Sequence, residues 1–153
     1  MEKFKNGTRI RLKTSHFPGY IRMKSNGRSV YHGNWGNKYE EMFTIKLLPQ
    51  FGNNVIALYG HYKRYLRARN NRRTIDQSGR RPNYNSYPNG WSWERWWVED
   101  VGGGKIALRS YHNTYLSANR GMGMGQNGSI NSKFVKFQKY SMCQAKVIFS
   151  VAA

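Results

Sequence analysis

The sequence predicts an all-β fold, a β-trefoil built from three pseudo-symmetric four-stranded repeats. Three observations lead to this prediction: an internal threefold repeat, an alternation of apolar and polar residues within each repeat, and a high content of aromatic residues and glycine. Aromatic side chains make up 15% of the 153 residues, and there are 16 glycines against 4 prolines. Intrinsically disordered chains combine high charge with few aromatic residues, so that class fits this chain poorly.

The internal repeat divides the chain into thirds. Each unit opens with a strand that starts at an isoleucine and, after a short turn, continues into a second strand led by a tyrosine. The isoleucines are Ile10, Ile56 and Ile106, and the tyrosines are Tyr20, Tyr65 and Tyr115. We therefore expect one domain over residues 1–153, with repeats at about 7–54, 55–104 and 105–153. Units of this size cannot bury their apolar faces alone, so they should pack around a pseudo-threefold axis.

The first strand of the first unit shows the alternation that a half-buried strand requires. Ile10 and Leu12 would face the interior, while Arg9, Arg11 and Lys13 would face solvent. Because the turn that follows is short in all three units, each pair of strands is predicted to form a β-hairpin.

A closing strand is predicted at the end of each unit, at 42–47 in the first and 96–99 in the second. Residues 134–137 and 147–151 both qualify in the third. The spacing within the second unit favours the later segment, which makes 134–137 an internal strand. The spacing within the first unit is shorter and leaves the earlier segment open. Blade-type repeats of similar length form propellers, which typically need four or more blades, so three units favour a trefoil.

Residues 105–118 read Lys-Ile-Ala-Leu-Arg-Ser-Tyr-His-Asn-Thr-Tyr-Leu-Ser-Ala and follow three glycines. This stretch resembles the repeat of fascin and hisactophilin, which are β-trefoil actin-binding proteins, and residues 1–12 are similar to the start of plant fascin-like trefoils. The resemblance covers all three repeats and implies the trefoil fold and an actin-binding or actin-bundling role. The chain departs from hisactophilin, which is dense in histidine, because it has only 4 histidines. It also lacks the Gln-x-Trp repeat of ricin-type lectins.

The charge balance indicates a negatively charged partner. The chain has 26 lysines and arginines against 7 acids, a net charge of +19, whereas solubility alone needs a charge of about 2–8. The sign of the charge fits an acidic filament such as actin, heparan sulfate, nucleic acid or an anionic mineral. It does not distinguish among these partners.

The predicted polyanion-binding residues lie mostly in the second repeat. They are Lys63, Arg64, Arg67, Arg69, Arg72, Arg73, Arg80 and Arg81, with Arg22 and Lys24 on the equivalent strand of the first repeat. The arginine fork suits carboxylate, sulfate and phosphate groups, so arginines on rigid hairpins would form an anion clamp. The alternative is a solvated face that serves only solubility. Unit three has no acid after Asp100, so a second positive face that would allow bridging or self-association is also expected.

Aromatic residues near the end of the second repeat allow two interpretations. The tryptophans of the run 91–97, which are Trp91, Trp93, Trp96 and Trp97, could form a stacking platform for bases or sugars. Alternatively, Trp96 and Val98 lie in the core, and Trp91 or Trp93 covers an edge. In the insertion before them, Tyr84, Tyr87 and Trp91 are the candidate exposed aromatic contacts. Residues 121–125, which alternate glycine and methionine, are predicted to form a flexible loop.

The acidic residues supply little for catalysis. Glu40 with Glu41, and Glu99 with Asp100, are sequence neighbours that would point to opposite faces of a strand, so a carboxylate pair facing one substrate is not evident. We therefore predict a non-enzymatic protein with no catalytic residues and no cofactor.

Three histidines, His16, His61 and His112, recur near the turn after the first strand of each unit. They could form a metal or pH-sensing cluster, or they could be repeated turn residues spread around the perimeter. Zinc requires ligand atoms at about 2 Å from the ion, so we favour the second interpretation and predict no metal site. Cys143 is the single cysteine and is interpreted as a buried or incidental thiol.

The chain shows no apolar signal segment at its start and no apolar run near the roughly 20 residues that span a bilayer. A cytoplasmic location is therefore expected. Three functional hypotheses follow: an actin-binding or actin-bundling module, a binder of heparan sulfate or nucleic acid, and a structural protein that self-assembles or organises an anionic mineral.

Overall fold

The computed structural model describes residues 4–14, 17–34, 38–102, 105–128, 134–140 and 146–152. The first repeat contains β1 (Arg9–Thr14), β2 (Tyr20–Met23), β3 (Val30–Gly33) and β4 (Met42–Leu47). The second contains β5 (Val55–Gly60), β6 (Leu66–Ala68), β7 (Ile75–Gln77) and β8 (Trp96–Gly102). The third contains β9 (Lys105–Ser110), β10 (Tyr115–Ala118), β11 (Met124–Asn127) and β12 (Phe134–Tyr140), followed by β13 (Lys146–Ala152). Short 3₁₀ turns span Lys38–Glu41 and Pro49–Phe51.

The first and fourth strands of the repeats form a barrel. Pairing runs from β1 to β4, β5, β8 and β9, and returns through β13 and β12 to β1. The hairpins β2–β3, β6–β7 and β10–β11 form a second layer, and isolated bridges join Tyr31 to Gly123 and Thr74 to Gly125. A barrel covered by three hairpins is the β-trefoil architecture that the sequence predicts. Within the described ranges, no helix is long and apolar enough to cross a membrane.

The predicted alternation places the core. Ile10 and Leu12 are buried, whereas Arg9 is exposed. On β8, Trp96 and Val98 are buried, so the core interpretation of these two residues is confirmed. Equivalent positions from all three repeats complete one cluster, which includes Phe43, Ile45, Leu58, Leu66, Leu108 and Leu116. Burial of this apolar surface is the main term that favours the fold.

The third repeat differs from the sequence prediction. Residues 124–127 form β11, which pairs with β10 from Ala118↔Met124 to Tyr115↔Asn127, and Met124 is buried. The predicted flexible loop therefore ends in a strand, because the second strand of each repeat needs a partner. In the barrel, β12 pairs with β1 over six residues, and β13 lies between β12 and β9, where Ala152 pairs with Ala107. Residues 134–137 lie within β12 and residues 147–151 within β13, so both segments that the sequence left open take part in closing the barrel.

A cyclic set of side-chain hydrogen bonds joins the three hairpins. The third strand of each repeat carries one equivalent polar residue: His32, Gln77 or Gln126. Each of these faces a residue of the second strand in its own repeat, which is Ile21, Leu66 or Leu116. Each donates to the hairpin turn of a neighbouring repeat. Gln77 Nε2 donates to the carbonyls of Lys24 (2.8 Å) and Ser29 (3.0 Å).

The other two members of the cycle act in the same way. Gln126 Nε2 donates to the carbonyls of Arg69 (2.9 Å) and Thr74 (2.8 Å). His32 Nε2 lies 2.8 Å from the carbonyl of Asn119. Repeat two therefore holds repeat one, repeat three holds repeat two, and repeat one holds repeat three. The carbonyls of Ser29, Arg69 and Thr74 also accept a backbone N–H within their own turns, so the cycle gives these carbonyls a second donor.

Replacing Gln77 by methionine, which has a similar shape, should lower the free energy of unfolding by about 1–3 kcal/mol because the two hydrogen bonds to the carbonyls of Lys24 and Ser29 are lost. Urea denaturation measures this change. Gln50→Met is the matched control, since Gln50 is exposed, and we expect a change within about 0.5 kcal/mol. Equal effects of the two substitutions would contradict a structural role for the cycle.

Candidate functional site

The insertion between β7 and β8 forms one wall of a cavity of about 400 Å³. Arg67 on β6 forms the opposite wall, and Arg80, Trp91, Trp93 and Glu94 come from the insertion. The remaining lining residues are small: Gly79, Gly90 and Ser92. The cavity thus combines two indole rings, two guanidinium groups and one carboxyl group.

Hydrogen bonds fix the backbone that carries the two tryptophans. Arg95 donates from Nε to the carbonyl of Trp91 (3.1 Å) and from Nη2 to that of Asn89 (2.7 Å). Its guanidinium lies 3.6 Å from the ring centroid of Phe51. The hydroxyl of Tyr87 donates to the same Trp91 carbonyl. The Trp91 backbone is therefore held before any ligand binds.

Trp93 is attached directly to the barrel side of the cavity. Its carbonyl accepts a hydrogen bond from the backbone N–H of Ala68 on β6 (3.0 Å). Arg67 and Arg69 lie 5.9 and 5.7 Å from its ring centroid, and Arg80 lies 5.0 Å from that of Trp91. Cations at this distance are attracted to the faces of indole rings. Exposed Arg80 therefore stands at the cavity mouth over one ring.

The predicted arginine clamp is already paired with a carboxylate. Arg67 and Arg69 share the outer face, as the sequence predicts, but both contact Asp76 on β7. Arg67 donates from Nε and Nη2 to the two oxygens (2.8 and 2.9 Å), and Arg69 donates from Nη1 (3.3 Å). Since one carboxylate offsets one of the two charges, this pair is a weaker anion site than its sequence suggests.

Glu94 is the acid of the cavity. It is 5% exposed, and burial raises its pKa to about 7, although the nearby Arg67 guanidinium acts in the opposite direction. A carboxyl group with this pKa changes charge near neutral pH. Protonated, it can donate a hydrogen bond to a ligand, and ionised, it can only accept.

Several other predicted polyanion contacts are used inside the protein. Arg22 is 2% exposed and contacts Glu41 at 2.9 Å, so it does not present its charge to a partner. Lys24 forms an ion pair with buried Glu40 at 2.9 Å. Arg64 donates to the carbonyl of Ser78 (2.7 Å), and exposed Arg72 donates to that of His112 (2.6 Å). Lys63, Arg73, Arg80 and Arg81 are exposed. The ten predicted residues therefore do not form one continuous face.

The predicted aromatic contacts are half-buried. The Tyr84 hydroxyl donates to the carbonyl of Ile45 and accepts from the backbone N–H of Gly7, both at short distance (2.5 and 2.8 Å). Tyr87 packs against Tyr65, with ring centroids 5.4 Å apart. Of these candidates only Trp91 lines the cavity. Among the aromatic residues whose exposure the structure describes, Tyr39 (58%) and Tyr111 (53%) are exposed most, and their one sequence signal is a position in a turn between strands.

The histidines show no shared site. His61 stacks on Tyr39, with ring centroids 5.1 Å apart, and Nε2 of His112 lies 3.0 Å from the carbonyl of Ala68. His16 and Cys143 lie outside the described residues. In the described part of the chain, no group of three or more His, Cys, Asp or Glu residues is arranged to hold a metal ion.

Comparison with known proteins gives the family and the fold. A family model described as "Beta-trefoil domain of unknown function (DUF569)" matches residues 1–144. No curated protein matches the sequence. Among solved structures, the chain is similar to SeviL bound to asialo-GM1 saccharide, with 12% identity over 95% of this chain and 98% of that chain and a TM-score of 0.66.

Two further structures are similar over most of their lengths. The BEL beta-trefoil in its apo form is 16% identical over 97% of this chain and 96% of that chain, with a TM-score of 0.69. ThreeFoil, a designed 3-fold symmetric protein, is 16% identical over 92% and 97% of the two chains, with a TM-score of 0.64. Identities this low show a shared fold and carry no assignment of ligand.

The raised pKa of Glu94 has a consequence for stability. Between the unfolded pKa near 4.5 and the folded value of about 7, the folded state binds more protons than the unfolded state, so stability falls as the pH rises through this window. The shift corresponds to at most about 3 kcal/mol.

Replacing Glu94 by glutamine should remove this fall. We expect urea denaturation to show that the free energy of unfolding of the variant, minus that of the unmodified protein, is larger at pH 8 than at pH 5. Parallel pH profiles for the two proteins would contradict a buried, proton-binding carboxyl group at this position.

Proposed function

Since the chain belongs to the DUF569 family of β-trefoil domains, we propose that it is a non-catalytic module that binds a saccharide in the cavity between Trp91 and Trp93. The observation that carries this proposal is the lining of that cavity, in which two fixed indole rings stand beside arginine and carboxyl groups.

Saccharide rings suit such a lining. Each ring has an apolar C–H face and a rim of hydroxyl groups, so it can pack on an indole while polar side chains bind its edge. The volume of about 400 Å³ falls within the usual range of about 300–1,000 Å³ for small-molecule sites. The SeviL structure, bound to asialo-GM1 saccharide, supports the proposal by showing a similar fold with a saccharide.

The acids favour binding over hydrolysis. Glycoside hydrolysis commonly needs two carboxyl groups that flank the scissile bond. Glu94 lies in the cavity, but neighbouring Asp76 is held by Arg67 and Arg69. Among the other described acids, Glu40 and Glu41 are buried in ion pairs with basic residues of the first repeat. Among the described residues that line the cavity, Glu94 alone carries a carboxyl group.

The net charge of +19 adds a preference for negatively charged partners. Actin, heparan sulfate, nucleic acid and anionic minerals share that property. Binding to actin, or assembly into ordered arrays, rests on the sign of the charge and on the sequence resemblance alone. The cavity supports a saccharide on additional geometric grounds, so we place the saccharide first.

Replacing Trp93 by alanine should weaken saccharide binding at least tenfold, about 1.4 kcal/mol, because the ligand loses one of its two packing surfaces. Glycan-array screening identifies a ligand, and titration calorimetry then measures the affinity. Trp97→Ala is the matched control: Trp97 is also half-buried and lies beside an arginine, Arg109, at 5.5 Å, but it does not line the cavity.

Two results would count against the proposal. One is equal loss of affinity in the Trp93 and Trp97 variants, which would indicate a general effect on the fold. The other is absence of saccharide binding together with salt-sensitive cosedimentation with filamentous actin, which would favour the actin-binding hypothesis.

A further inference from the structure

A second concave surface, which we call the basic groove, lies over the first and second repeats. It consists of two adjoining cavities of about 360 Å³ each. Tyr59 and Lys63 line both cavities, so the two lie side by side at these residues. Arg9 lies in one half and Arg81 in the other.

Strand pairing sets the floor of the groove. Arg9 on β1 stands opposite Thr44 on β4, and Thr44 stands opposite Tyr59 on β5. Opposite residues on neighbouring strands point to the same face and lie about 5 Å apart. Three adjacent strands thus present a cation, a hydroxyl group and an aromatic ring in one row on the outer face of the barrel.

Turn geometry places the remaining cations. Lys63 has a positive φ of 67° in the turn after β5, and its backbone N–H donates to the carbonyl of Gly60 (3.1 Å). The insertion is held against the barrel here, since the Tyr59 hydroxyl donates to the carbonyl of Pro82 (3.3 Å). Exposed Arg81 precedes that proline. Lys46 lies 5.0 Å from the ring centroid of Tyr84, which lines the same half of the groove.

The basic groove differs from the basic clusters of the described chain that are held in ion pairs. Arg67 and Arg69 share Asp76, Arg22 contacts Glu41, and Arg109 contacts Glu99. In the described ranges, no carboxylate lines either half of the groove. Arg9, Lys63 and Arg81 therefore direct uncompensated charge into one concave surface, where low-dielectric walls strengthen the field.

We propose that the basic groove is a subsite for the sulfate groups of a sulfated polysaccharide. This inference rests on the saccharide-binding function proposed above. Arg80 lines the tryptophan cavity and Arg81 lines the groove, so the two sites meet at consecutive residues. One polymer chain can place a sugar ring in the cavity and its charged groups in the groove.

The aromatic residues of the groove favour a polysaccharide over single-stranded nucleic acid. Nucleic acid would need open ring faces on which bases stack. Tyr59 is half-buried, and its ring packs against those of Tyr65 (5.0 Å) and Tyr84 (5.5 Å). Tyr39 is exposed, but one of its faces is covered by His61. The groove therefore offers charge to a ligand more than it offers stacking surfaces.

The test uses two triple variants with the same net charge. The groove variant carries Arg9→Gln, Lys63→Gln and Arg81→Gln. The control variant carries Arg28→Gln, Arg73→Gln and Arg120→Gln, which alters three exposed arginines that line neither the cavity nor the groove. Because the long-range attraction is equal in both, a difference between them reports on the groove. Circular dichroism and thermal melting check that both fold.

Heparin oligosaccharides, the same oligosaccharides after desulfation, and a single-stranded oligonucleotide are the probes. The groove variant should lose at least tenfold in affinity for heparin oligosaccharides, while the control variant loses much less. The dependence of log K on log salt should also flatten in the groove variant, because fewer counterions are released when fewer ionic contacts form. Desulfated oligosaccharides should bind less tightly to the unmodified protein and should be affected less by the groove substitutions.

Three outcomes would overturn the inference. Equal losses in the two triple variants would show attraction by total charge alone. Equal binding of sulfated and desulfated oligosaccharides would remove the anionic subsite while leaving the saccharide-binding proposal intact. A larger effect of the groove substitutions on the oligonucleotide than on heparin would assign the groove to nucleic acid. The Trp93→Ala variant separates failure of the groove subsite from failure of the proposed function. If the tryptophan cavity does not bind saccharide, this substitution leaves every saccharide affinity unchanged.

Discussion

The hydrogen bonds by which each hairpin holds the next form the constraint on which the rest of the molecule depends. Gln126 satisfies the carbonyls at both ends of the β6–β7 turn, and that hairpin carries Arg67 and Asp76. Its backbone also binds Trp93 through the N–H of Ala68. The position of the cavity wall is thus determined by a polar contact from the third repeat. The apolar core also includes hairpin residues such as Met23, Leu66 and Leu116, and the polar contacts between hairpins add directional restraints to that non-directional burial.

Scarcity of acids determines where charge is presented. A chain with 26 basic and 7 acidic residues cannot neutralise itself, so the location of each carboxylate decides which cations are compensated. Glu40 and Glu41 lie beneath the first hairpin, and Asp76 lies on the second. These acids keep Arg22 and Arg67 in fixed positions. The uncompensated cations are those that the described carboxylates do not reach, and Arg9, Lys63 and Arg81 are brought together among them by folding.

The sequence predicts the positions of the first, second and fourth strands because apolar and polar residues alternate along them, and this alternation is a local pattern. The closing strands at 42–47 and 96–99 match β4 and the start of β8. The third strands were harder to find, since β7 has three residues and β11 contains glycine. Because β7 is not evident in the sequence, one contact at the candidate site is not predicted either. The pairing of Arg67 with Asp76 follows from the β6–β7 register, which cannot be seen unless β7 is recognised, and the sequence therefore predicts an anion clamp without its internal carboxylate. The groove could not be predicted either, because its cations come from β1, a turn and the insertion.

A symmetric frame explains the asymmetric site. The connection between the third and fourth strands spans 34–41 in the first repeat, 78–95 in the second and 128–133 in the third. The long connection of the second repeat reaches outward over β5, and its two sides become the walls of two different concave surfaces. Arg80 faces the tryptophans and Arg81 faces the groove. The repeats supply three similar and rigid hairpins, and one insertion converts one of them into a place where rings and charges can be bound together. The binding specificity of this trefoil therefore resides in a segment that the threefold repeat does not contain.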